Sequence, residues 1–85
     1  MTAPAQGAPR AAALALLAAR APGATVCPSE VARALAAAAG ITDWRGEMQA
    51  VHAAVDGLVA EGEVRLSWKG AALAVRAGPY RIGRR

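Results

Sequence analysis

Three observations in this 85-residue sequence predict an α+β domain, mostly helical, in which three helices precede a β-hairpin. Apolar residues recur every three or four positions within alanine-rich stretches up to about Ala60. From Glu63 the spacing drops to two, and glycine or proline stands at each boundary. With 55% hydrophobic and 19% charged residues the chain is too apolar for a disordered segment. At this length folding buries only about 60–65% of the unfolded surface, which allows one compact core.

Residues 1–9, MTAPAQGAP, mix proline, glycine and small side chains without periodicity and read as a flexible leader, leaving residues 10–85 as a single domain. A first helix is expected from Arg10 to Arg20, stopped by Ala21, Pro22 and Gly23. Its run AAALALLAA has the roughly 7–15 residue length of a secretory signal core. Only one positive side chain precedes it, however, and Arg20 follows at once, so a buried helix face in a cytoplasmic protein is the expectation. It is too short to span a bilayer, which needs about 20 apolar residues. Thr25 and Val26 are β-formers, too few for an independent strand.

The stretch CPSE opens the second helix. Proline suits the first helical position because its missing N–H would have no partner there. Cys27 then becomes the N-cap, and the Glu30 carboxylate can reach back to the Cys27 amide, a capping box with sulfur in the oxygen's place. Val31 and Leu35 face inward, and Gly40 closes the helix after Ala39. Thr42 or Asp43 caps a long third helix in which Trp44, Met48, Val51, Val55, Leu58 and Val59 form the apolar stripe, ending near Glu61. Val64, Leu66 and Trp68 then alternate with charged or polar residues as a half-buried strand, with Trp68 expected in the core. Lys69 and Gly70 offer a turn to a partner strand near Leu73 and Val75; Gly78 and Pro79 interrupt it; Tyr80 and Ile82 resume the alternation.

This element order is that of a winged helix-turn-helix. In CPSEVARAL, DWRGEM, EGEV and GPYRI the chain also resembles a bacterial family, domain of unknown function 3253, over nearly everything from Arg10 to Arg85. The resemblance implies a winged-helix fold and carries no biochemical activity with it. Its marks are the helix start Pro28 to Arg33, the pair Trp44 and Arg45, and Gly78 with Pro79. Two departures stand out: fewer arginines on the third helix, where this chain has Gln49, His52 and Ala53, and AALAVRA in place of a proline-rich wing.

If such a domain binds duplex DNA, the third helix presents Arg45, Gln49, His52 and Asp56 on the face opposite Trp44 and Met48. That helix is acidic overall, since Arg45 stands against Asp43, Glu47, Asp56 and Glu61. The C-terminal part is the reverse: Arg65, Lys69, Arg76, Arg81, Arg84 and Arg85 face Glu63 alone. A basic wing next to the third helix, with Arg65, Lys69, Arg76 and Arg81 as phosphate contacts, is the expected binding surface. One cysteine and one histidine supply neither a disulfide nor three or four zinc ligands, and no nucleophile with its base can be assembled from spacing. A non-enzymatic domain without cofactors is therefore expected. The rival reading is a protein-interaction module or homodimer built on the alanine-rich helices.

Overall fold

A computed structural model describes residues 7–85; residues 1–6 of the expected leader lie outside the described residues. Gly7 to Pro9 are not leader but helix, for α1 covers Gly7–Ala18. Pro9 is tolerated because first-turn N–H groups lack helical acceptors, and its ring is buried. Arg10 reaches Glu61 at 2.7 Å and ties the start of α1 to the end of the third helix. At its other end α1 stops two residues short of Arg20, and the Arg84 guanidinium donates to the carbonyls of Leu17 (2.6 Å) and Arg20 (2.8 Å).

The second helix, α2, spans Pro28–Ala39 with the expected caps. Cys27 and Glu30 form the capping box, the Cys27 amide donating to the Glu30 carboxylate at 2.8 Å. Gly40 takes the left-handed conformation (φ 71°), and the Ile41 amide folds back to the Ala36 carbonyl at 2.8 Å.

The expected long third helix is divided. Trp44–Glu47 form a 3-10 turn, and α3 follows as Met48–Ala60. Asp43 caps the tight turn by accepting from the Arg45 amide at 3.0 Å, and Gly46, a weak helix former, sits inside it.

Four strands form one antiparallel sheet: β1 (Thr25–Val26), β2 (Val64–Trp68), β3 (Ala71–Leu73) and β4 (Arg81–Arg84), in the order β1-β4-β2-β3. The segment Thr25–Val26 becomes a strand because β4 supplies its hydrogen-bonding partner, pairing Thr25 with Gly83 and Val26 with Ile82. Lys69 (φ 50°) and Gly70 (φ 82°) make the two-residue turn between β2 and β3, both in the positive-φ region that matches strand twist. The fold is α+β as expected, with about half of the described residues helical.

One core joins the layers: Leu17 from α1, Val26, Val31 from α2, Val51, Val55 and Leu58 from α3, Val64 and Leu66 from β2, then Tyr80 and Ile82. Trp68 is not part of it. It shares the inward face of β2, but burial fades along the strand and its cross-strand partner, Ala71, is too small to cover it, so the residue stays 38% exposed. No helix among the described residues is long and apolar enough to cross a membrane.

Candidate nucleic-acid interface

The sequence-derived candidates fall into four places. At the corner between α2 and α3, Arg45 and Gln49 are exposed on successive turns. The Arg45 guanidinium lies 5.0 Å from the Trp44 ring centroid, and Arg33 of α2 stacks on the same ring at 4.7 Å. Trp44, half-buried against the core, is thus a platform holding two cations by cation–π attraction. Sequence reasoning missed Arg33; its signal was phase, since Val31 and Ala32 face inward and push residue 33 out.

His52 and Arg76 lie together in a second place, where the chain between β3 and β4 is clasped to α3. Tyr80 Oη and His52 Nδ1 are hydrogen-bonded at 2.7 Å, and Arg76 donates twice to Asp56, each bond 2.9 Å. Burial pushes the Tyr80 hydroxyl up to about 12. Burial, with the Arg76 charge added, lowers His52 below its ordinary value, so the ring is neutral at pH 7. The Arg76 fork holds Asp56 below the usual carboxylate range. Tyr80 was not among the sequence candidates, because its partner lies 28 residues away.

Lys69 stands alone at the β2–β3 turn, its Nζ 5.9 Å from the Trp68 ring centroid. Arg65 and Arg81 occupy the fourth place. Their neighbours Leu66 and Ile82 point into the core, so strand alternation sends both arginines to the sheet face turned away from the helices. Arg65 donates through Nε to the Arg84 carbonyl (3.2 Å), and Arg81 donates through Nε to Thr25 Oγ1 (2.6 Å). The wing cations therefore do not gather on one ridge beside α3: Arg76 joins it through Asp56, Lys69 is at the turn, and Arg65 and Arg81 are behind the sheet.

Beside β1, Arg20 forms a fork with Glu30 (2.5 and 3.2 Å). That fork and the Cys27 amide lower the Glu30 pKa to about 2. Four ion pairs in all form among the described residues: Arg10–Glu61, Arg20–Glu30, Arg45–Asp43 and Arg76–Asp56. Residues 1–6 hold no charged side chain, so Arg33, Arg65, Lys69, Arg81, Arg84 and Arg85 remain against Glu47 and Glu63. The net charge of +4 is thus carried by exposed or half-buried cations without carboxylate partners.

Among the described residues, three helices with an antiparallel sheet, tied to α3 by the segment between β3 and β4, define a small α+β domain of winged-helix-like arrangement. The family model described as "Protein of unknown function (DUF3253)" matches residues 7–85, and the chain belongs to that family. No curated protein matches the sequence.

Proposed function

We propose that this is a cytoplasmic, non-enzymatic domain that binds duplex DNA with backbone contacts dominating. In this reading it acts as a winged helix-turn-helix, using the corner of Arg33, Arg45 and Gln49 together with the Lys69 turn. The observation that carries the reading is the pair of guanidinium groups stacked on Trp44 at an exposed corner, with Gln49 one turn further on. Arginine held on an aromatic platform loses little freedom when it meets a phosphate, and glutamine can address an adenine edge. Arg76 and His52 act within the domain, holding the wing to α3, and are not required as DNA contacts.

Fluorescence anisotropy with a random duplex at about 50 and 200 mM salt tests this, since affinity that rests on phosphate contacts falls steeply over that range. The double variant Arg33→Ala plus Arg45→Ala should weaken binding and flatten the log–log salt slope by about 0.9 for each phosphate that is no longer neutralised. Absence of binding at the lower salt would reject the reading. The second reading, a protein or self-association surface, draws on the exposed Trp68 and Val75, the latter 71% accessible. Light scattering that detects a dimer would favour it.

A further inference from the structure

The back of the sheet holds a feature that DNA binding at the α2–α3 corner does not use. A depression of about 310 Å³ lies between the Pro22–Ala24 turn and β2, with Thr25, Arg65, Ser67 and Gly83 among its lining residues. This is the low end of small-molecule sites, which run to roughly 300–1,000 Å³. We infer that it is a binding site for the oxyanion group of a small ligand, a phosphoester or a carboxylate, gripped by Arg65 and seated over Gly83.

The register puts Gly83 directly between Thr25 and Arg65, so the middle strand presents no side chain where its neighbours present a hydroxyl and a guanidinium. Arg65 is oriented by its Nε bond to the Arg84 carbonyl, which leaves both terminal nitrogens without a protein partner among the described residues. Those nitrogens are the edge of the fork that matches two oxygens of an oxyanion. The Thr25 hydroxyl accepts from Arg81 Nε, so its own hydrogen is free to donate. Ser67, the cross-strand partner of Arg81, adds a second hydroxyl to the same face. Arg20, Arg65, Arg81 and Arg84 lie around this end of the sheet; of the acids, Glu30 is committed to Arg20, and Glu63, two residues before Arg65, does not line the depression.

Gly83 provides a test that spares the fold. Its φ is not in the positive region, and a methyl there would meet Thr25 Cγ2 at 3.5 Å and the Arg65 carbonyl at 3.8 Å, ordinary contact distances. Gly83→Ala should therefore fold and melt like the parent while raising the floor of the depression. The experiment titrates inorganic phosphate, and separately acetate, into the full chain while recording amide and arginine Nε NMR signals at constant ionic strength.

Saturable shifts at Arg65 Nε and at the Thr25, Ser67 and Gly83 amides are expected. Arg65→Gln should weaken them by about tenfold or more, as loss of a charge-assisted fork implies, and Gly83→Ala should weaken them as well. Stronger binding of phosphate assigns the site to phosphoesters; acetate binding as well or better assigns it to carboxylates. Shifts that are linear, that spread equally over all exposed arginines, or that persist unchanged in both variants would overturn the inference.

Discussion

Replacing Glu30 with glutamine removes one negative charge at nearly constant volume, from a carboxylate that faces Arg20, the Cys27 amide and the N-terminus of α2. Its fall from an ordinary 4.5 to about 2 corresponds to roughly 3 kcal/mol if undiminished. The Glu30 and Arg20 side chains are 30% and 34% exposed, so solvent screening reduces this to about 1–2 kcal/mol. In a domain of this size the variant should melt about 5–15 °C lower at pH 7, followed by circular dichroism.

The pH course is more specific than the magnitude. A carboxylate whose pKa is depressed by folding contributes stability that is fully present above its unfolded value near 4.5 and is lost as pH falls through about 2. The gap between parent and Glu30→Gln should accordingly be constant from pH 8 to 6, shrink below about 4.5, and be nearly gone near pH 2. A loss under about 0.5 kcal/mol at pH 7, the size of an ordinary surface substitution, would refute the reasoning. So would a gap that does not change on acidification.

Tyr80→Phe should cost about 1 kcal/mol in urea denaturation, the net value of a hydrogen bond, by leaving His52 without its partner. Because burial lowers the folded His52 pKa, its contribution to stability is present above about 6.5 and falls away as pH drops through the lower folded value; His52→Gln should remove that dependence. Asp56→Asn should release Arg76 and speed hydrogen exchange in the segment from Val75 to Gly78. If the DNA reading holds, the same variant should bind a random duplex more tightly at low salt, since one negative charge leaves α3. Lys69→Asn should raise stability by about 0.5–1 kcal/mol in the same denaturation assay, part of the roughly 1–2 kcal/mol that a left-handed conformation costs most side chains.

What could be read in the letters were features decided within one turn of chain. Cys27, Pro28, Glu30 and Gly40 bound α2 as expected, because caps are made by groups three or four residues apart. The Lys69–Gly70 turn and the inward phase of Val64, Leu66 and Ile82 were legible for the same reason. The candidate site was less so. Arg45 and Gln49 share the corner that helical phase gave them, but Arg33 joins them from another helix and His52 is turned to Tyr80.

The caps of α2, the strand alternation and the excess of positive charge were thus settled by the sequence itself, since each follows from the backbone geometry of a few neighbouring residues or from simple composition, whereas the start of α1 and the break at Met48 were not. Only the tertiary structure made a strand of Thr25 and Val26, by offering β4 from nearly sixty residues away. It alone also gave Arg76 to Asp56, Arg84 to the end of α1, Arg65 to the Arg84 carbonyl and Arg81 to Thr25. A guanidinium on a long side chain takes whichever carboxylate or carbonyl the packing brings within about 3 Å, and which ones come that close depends on how the layers are stacked.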